Sequence, residues 1–297
     1  MPYIFSGMAC KIMPSRPRCT LVLSSCRWKS TSYREIEEVS LSTNTQEELA
    51  DVMRPSYELQ SPVVVRGAVS DAPAIKLWRS LPYWYQSFDK EDQFGAVEIG
   101  GSYGSNDMER AEIPLQGYLQ YLELFEERHG RTGPDDPLEI PTSIPIEELV
   151  YMAQNDLFPS LYKDIRVPRF CEDQSDGVGN GRLYSVMLWL GPRGCVSPLH
   201  FDPLDNCLMQ FVGRKKIWLY EPQAGGWHYA GHNDQQSNTS PVNPEDVNGD
   251  QYPLFAQEAP PKIQCVLNPG DLLYIPSKWW HFVRSLDTSA SVNVWWR

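Results

Sequence analysis

The rhythm of hydrophobic and polar positions changes near residue 147. Before it, apolar residues recur at helical spacing or in isolated short runs. "TQEELADVM" has the period of a helix, "SPVVVRGAV" reads as a β-branched strand closed by a glycine turn, and "QFGAVEIG" is a second strand followed by a Gly/Ser/Asn loop. In "IPLQGYLQYLELFEERHG", Leu115, Tyr118, Leu119, Leu122 and Phe125 share one face of a helix that Pro114 opens and Gly130 ends. Four prolines between residues 131 and 146 predict a surface excursion.

From residue 147 on, the runs "LYSVMLWL", "NCLMQFV", "KKIWLYEP", "IQCVL", "DLLYIP" and "ASVNVWW" are separated by Gly, Pro and Asn turns. Many short strands so punctuated predict an antiparallel barrel or jelly roll, with the cupin class a natural candidate. Trp279, Trp280, Trp295 and Trp296 are expected in its core, because a large ring is most often buried there.

Within this strand-rich half, "SPLHFDPLDNC" sets an imidazole and a carboxylate two residues apart. Residues i and i+2 of a strand share a face, so His200 and Asp202 project together while Phe201 points away. One histidine and one carboxylate are two thirds of a facial metal triad, whose third ligand must come from a distant strand. His281, in "YIPSKWWHFVRSL", is placed to supply it. Such a triad suits non-haem Fe(II) and leaves positions open for other ligands. Zinc hydrolases also use histidine and carboxylate ligands, so the triad by itself does not choose the metal. His129, His228 and His232 are expected on the surface.

Charge narrows the partners. The chain carries 26 basic and 38 acidic residues, a formal charge of -12, which leaves no diffuse basic field for a phosphate backbone. Direct nucleic-acid binding is therefore not expected, and an acidic surface agrees better with a protein or peptide substrate. No run approaches the roughly 18 apolar residues of a membrane span. Seven cysteines, with no C-x-x-C pair, read as free thiols in a reducing compartment. The first 34 residues hold six basic and no acidic side chains amid many Ser and Thr. That is the composition of a mitochondrial transit peptide, predicting a matrix location, with a disordered basic tail on a nuclear or cytoplasmic protein as the alternative.

The segments "YMAQNDLF", "LWLGPRGCVSPLHFDPLDNCLMQFVGRKKIWLYEP" and "LNPGDLLYIPSKWWHFVRSLDTSASVNVWW" resemble the JmjC domain of 2-oxoglutarate oxygenases, and within it the jumonji-C protein five (lysine demethylase eight) group. The resemblance runs, with gaps, from about residue 60 to residue 297. It implies that His200, Asp202 and His281 hold Fe(II), and that Lys215 meets the distal carboxylate of 2-oxoglutarate. Tyr151, Ser197 and Asn206 match cosubstrate-binding residues, and dioxygen is the second cosubstrate. Alternation through "RKKIWLY" admits only one of Lys215 and Lys216 to the interior. Glu98, Tyr103 and Trp189 match residues that surround a substrate arginine, a role suited to a carboxylate and aromatic faces. A tryptophan of the group falls on Met108, and residues 126–146 look like an insertion.

The expected architecture is thus a mainly β double-stranded β-helix spanning residues 140–297, with an α/β subdomain over 35–139 and a basic segment over 1–34. The expected activity is hydroxylation of a protein side chain, arginine first. Demethylation of a lysine is the enzymatic alternative, and a non-catalytic cupin binding module the alternative of another class. Hydroxylation of a tRNA base, found in related cupins, is disfavoured by the acidic charge.

Overall fold

The computed structural model describes residues 33–88, 93–100, 109–133, 135–136, 144–222, 238–248, 250–253, 255 and 262–297. The basic segment up to residue 32, Tyr103, Met108, His228 and His232 lie outside them. In chain order the elements are β1 (Tyr33–Glu35), β2 (Glu37–Ser40), α1 (Gln46–Leu59), β3 (Val63–Arg66), α2 (Ala74–Leu77), α3 (Leu81–Ser87), β4 (Phe94–Ile99), β5 (Glu109–Pro114) and α4 (Leu115–His129). There follow β6 (Val150–Asp156), β7 (Leu183–Gly191), β8 (Val196–Phe201), β9 (Asp205–Val212), β10 (Lys215–Tyr220), β11 (Lys262–Leu267), β12 (Leu272–Ile275), β13 (Trp280–Ser285) and β14 (Ser289–Trp296). Among the described residues, no helix is long and apolar enough to cross a membrane.

The strands form two sheets, β1-β11-β10-β13-β8 and β2-β3-β12-β9-β14-β7-β6-β4-β5. Their central fours, β11-β10-β13-β8 and β12-β9-β14-β7, are antiparallel throughout. They make the eight-stranded jelly roll that the alternating runs predict. The segment expected as a subdomain is hydrogen-bonded into the same sheet: β2 and β3 extend one edge, and β4 and β5 extend the other through β6. β1 begins at Tyr33, inside the segment read as a basic leader, and pairs in parallel with β11.

Alternation sorts the side chains into layers. Ile217, Leu219, Leu208, Leu273, Ile275 and Val283 fill the space between the sheets. The opposite face of the larger sheet, with Met209, Phe211, Val292, Val294 and Trp296, packs on α1, α4 and the intervening turns in the largest cluster. In α4 the predicted stripe of Leu115, Tyr118, Leu119, Leu122 and Phe125 is buried. Trp218, Trp280 and Phe282 cover the outer face of the smaller sheet under Val242 and Phe255.

Two details depart from the sequence expectation. α1 runs on to Leu59 through Pro55, because Met53 and Ser56 continue its buried face and Gln60 closes it in the left-handed region at φ 50°. His129 is half-buried rather than on the surface. Its ring lies 4.6 Å from Phe125, its Nε2 is 2.9 Å from Glu148, and Arg193 donates to its carbonyl.

Candidate metal centre

His200 is the penultimate residue of β8 and His281 the second of β13, and the two stand opposite each other in register. Between them and the next pair, Val283 opposite Ser197, β8 carries two residues, Pro198 and Leu199, against one on β13, Phe282. This bulge turns both Ser197 and His200 inward, although strict alternation would put them on opposite faces. Asp202 follows at the turn, where its carbonyl accepts from Lys278 N at 2.7 Å.

Each of the three residues offers a ligand atom, and these atoms lie within 4.8 Å of one another. His200 Nδ1 donates to the Pro198 carbonyl at 2.7 Å, and His281 Nδ1 donates to that of Trp279 at 3.0 Å. A carbonyl can only accept, so both protons are fixed on Nδ1 and both Nε2 lone pairs are free to ligate. Burial, aided by the neighbouring His200, pushes the His281 pKa down to about 4 against the pull of Asp202. The ring is therefore neutral at pH 7, as a metal ligand must be. Two imidazoles and a carboxylate converging from one side fit a divalent first-row ion.

One face of β14 braces this group, because Ser291, Asn293 and Trp295 alternate inward. Trp295 Nε1 donates to Asp202 Oδ2 at 3.0 Å, and Asn206 Nδ2 donates to the same oxygen at 3.3 Å. Asn293 Nδ2 in turn donates to Asn206 Oδ1 at 2.7 Å. Trp295 is buried, as expected of a core tryptophan, but its indole N–H is committed to the Asp202 carboxylate. Sequence reading missed it, together with Asn293 and Ser291. The i, i+2, i+4 spacing in "SVNVW" was the available signal.

Lys215 opens β10 and is 1% exposed, while Lys216 points outward and lies 4.8 Å over the Trp218 ring. The tight β9–β10 turn sets this register. Gly213 stands at φ 68° there, and a Cβ would come within 2.4 Å of the Thr288 carbonyl oxygen. Lys215 Nζ donates to Ser291 Oγ at 2.7 Å and to Tyr151 Oη at 3.1 Å. Neither partner is charged, and burial lowers its pKa to about 7. The ammonium has three protons and two partners, so one donor remains for a ligand. Trp189 Nε1 beside it is buried and equally without an acceptor.

Lys215, Trp189, Tyr151, Ser197 and the three ligand residues line one cavity. Its free space is only about 20 Å³, so an organic ligand held here must turn lining side chains outward. Tyr151 lies 5.7 Å from Trp189, and burial holds its hydroxyl well above the usual phenol range while Ser197 hydrogen-bonds it. Its ring occupies the place of a side chain on Gly191, where a Cβ would lie 2.5 Å from Cδ2. Glu98 stands opposite Tyr151 in register and is 11% exposed. Its carboxylate meets Arg110 Nη2 at 3.1 Å, and burial raises its pKa against that pairing.

A family model described as a cupin-like domain matches residues 50–297. The chain belongs to that family. Among its cupin-like relatives, Jumonji C domain-containing protein 5 of Drosophila melanogaster is 30% identical over 251 residues, 84% of this chain and 57% of that protein. Lysine-specific demethylase 8 of Danio rerio is 42% identical over 203 residues, 67% of this chain and 44% of that protein. Lysine-specific demethylase 8 of Xenopus tropicalis is 31% identical over 243 residues, 80% of this chain and 48% of that protein. The chain spans about half the length of these curated relatives. JmjC cupins of this kind use Fe(II) and 2-oxoglutarate, and the residues here fit both. The triad offers nitrogen and oxygen donors to the iron, and Lys215 with the unpaired Trp189 N–H offers donors to a carboxylate.

Proposed function

We propose that this cupin is an Fe(II)- and 2-oxoglutarate-dependent oxygenase that oxidises a cationic side chain of a protein, and that removal of a methyl group from N-methyl-lysine is its first activity. The carrying observation is Lys215, a buried lysine without a carboxylate partner that lines the same cavity as a histidine–aspartate–histidine triad. Desolvating an ammonium beside hydroxyls alone is unfavourable, and a dicarboxylate cosubstrate supplies the missing charge. When bound, Fe(II) and 2-oxoglutarate supply C–H hydroxylation, with one oxygen atom of O2 going to succinate and the other to the product.

The chain's residues do the rest. Carbonyls of Pro198 and Trp279 orient the imidazoles, Trp295 and Asn206 orient Asp202, and Lys215 with Tyr151 positions the cosubstrate. Demethylation is supported by the printed names of the relatives. Hydroxylation on the methyl carbon leaves a carbinolamine, which releases formaldehyde and the free amine. A second reading, hydroxylation of arginine, is favoured by Glu98, a largely buried carboxylate beside Tyr151 that matches a guanidinium partner.

The test is succinate formation by Fe(II)-loaded protein with methyl-lysine and arginine peptides, each product then weighed by mass spectrometry. Formaldehyde with loss of a CH2 establishes demethylation, and gain of one oxygen establishes hydroxylation. Absence of turnover in protein that holds both iron and 2-oxoglutarate would move a non-catalytic binding role to the front.

We also infer import into mitochondria from the basic, acid-free start of the chain. A fluorescent reporter carrying residues 1–40 should co-localise with a matrix marker, and diffuse or nuclear signal would refute it.

A further inference from the structure

Beside the metal centre, reaching it at Asp202 and Trp295 but not lined by Lys215, the jelly roll opens into a cleft of about 370 Å³. Asp202, Pro203, Leu204 and Trp295 border it on the inside, and Arg182, Tyr184, Arg297 and Gln154 around its rim. Arg182 and Arg297 exchange backbone hydrogen bonds, Arg297 N to Arg182 O at 3.1 Å and Arg182 N to Arg297 O at 3.3 Å, and Asn180 N adds a third to Arg297 O at 2.7 Å. Residues that exchange both bonds across a ladder stand about 5.5 Å apart at Cα. Two guanidinium groups are thereby anchored side by side at the mouth of the site.

Their side chains are exposed, and neither has an acidic partner among the described residues. Among the described residues of this chain of formal charge -12, most other exposed arginines are paired, as Arg131 is with Glu126 and Arg166 with Asp71, Arg79 being an exception. Tyr184 is 74% exposed and adds an aromatic face at the same rim. Gln154 stands at φ 53° where β6 slips register against β7, a bulge that redirects its amide.

We propose that this arginine pair reads an acidic residue in the protein substrate, close in sequence to the side chain being oxidised. The inference rests on the proposed function only for the word substrate. Arg297, one residue beyond the end of β14, follows Trp295 by two residues, and Trp295 touches Asp202. At about 3.3 Å per extended residue, a carboxylate at the arginines lies about two or three residues from the one at the iron. The pair thus selects aspartate or glutamate at that distance and repels lysine and arginine. Through Coulomb selection, a net acidic protein gains a preference for acidic-flanked sites against its own overall repulsion.

The experiment measures binding separately from turnover. Fluorescent peptides with methyl-lysine or arginine at the centre, and Asp, Ala or Lys two and three residues away, are titrated by anisotropy into the full chain loaded with Fe(II) and 2-oxoglutarate without oxygen. The wild type should hold the Asp peptides roughly fivefold to tenfold more tightly than their Lys counterparts at low salt, and less so at high salt. In R182Q/R297Q the difference should vanish, and in R182E/R297E it should reverse. Melting temperatures of the variants confirm folding, which is expected because the anchoring bonds are made by backbone. Equal binding of the peptides, or a preference that survives in R182Q/R297Q, would overturn the proposal. Displacement of the Asp peptide by a single-stranded RNA that binds more tightly would overturn it in favour of a nucleic acid. Selective binding without turnover of any peptide would sink the oxygenase assignment and leave the recognition of acidic chains standing.

Discussion

Replacing Lys215 by methionine should make the protein more stable in acid and unable to hold 2-oxoglutarate. Burial takes this ammonium from its ordinary pKa of 10.5 to about 7, which corresponds to roughly 5 kcal/mol of uncompensated desolvation at about 1.36 kcal/mol per pH unit. Below pH 7 the lysine is charged in both the folded and the unfolded chain, so the folded state bears the whole cost. Between pH 7 and 10.5 the unfolded chain binds more protons, stability rises with pH, and the cost disappears. Methionine removes the charge but leaves the Ser291 and Tyr151 hydroxyls without their donor, a loss of about 1 kcal/mol each. The net gain is then about 2–3 kcal/mol at pH 6, or several degrees of melting temperature, and close to zero or negative near pH 10. In the wild type, 2-oxoglutarate at a hundred times its Kd should add about 2.7 kcal/mol of stability, and none in the variant. Thermal denaturation at pH 6 and pH 9.5, with and without 2-oxoglutarate, measures all four quantities. A variant less stable than wild type at pH 6, or one stabilised equally by 2-oxoglutarate, would refute the reasoning.

The same lysine predicts how cosubstrate affinity varies with pH. Binding needs the ammonium, so affinity should be flat below pH 7 and fall about tenfold per pH unit above it, as read by titration calorimetry in buffers of different ionisation heat. Trp295→Phe keeps an aromatic ring but removes the N–H that holds Asp202 at 3.0 Å; it should weaken metal binding about 10–100-fold in a competition with a chelator. Gly191→Ala puts a Cβ 2.5 Å from the Tyr151 ring, so the tyrosine must leave Lys215, and 2-oxoglutarate affinity should fall about tenfold while metal affinity holds. An unchanged cosubstrate Kd in Gly191→Ala would show that the Tyr151 hydroxyl is dispensable.

Much of the molecule was legible in the chain, and for different reasons. The stripe of α4 and the alternation of the strands follow from local periodicity, which burial of one face imposes wherever the element packs. His200 and Asp202 were legible as a pair because two residues separate like faces of a strand. Ser197 was not readable by that rule, since the bulge in β8 reverses its face relative to His200. Trp295 was read as core from its size. Its polar atom became a site group only through the neighbouring turn that carries Asp202. The alternation of Lys215 and Lys216 required one of them inside, and the β9–β10 turn at Gly213 chose which.

By itself, then, the sequence determined the class of fold, the residue types available to a metal and a carboxylate, and the acidic net charge of the chain. These are properties of composition and short-range spacing, which survive whatever the chain does at long range. Only the tertiary structure decided that the region before residue 140 extends the same sheet rather than standing apart, because strand pairing across a hundred residues leaves no local trace. It alone brought His281 opposite His200, left Lys215 buried beside nothing but hydroxyls, and set Arg182 against Arg297 at the mouth of the site. Each of these depends on register between strands far apart in the chain, and register is fixed by the packing of the whole jelly roll.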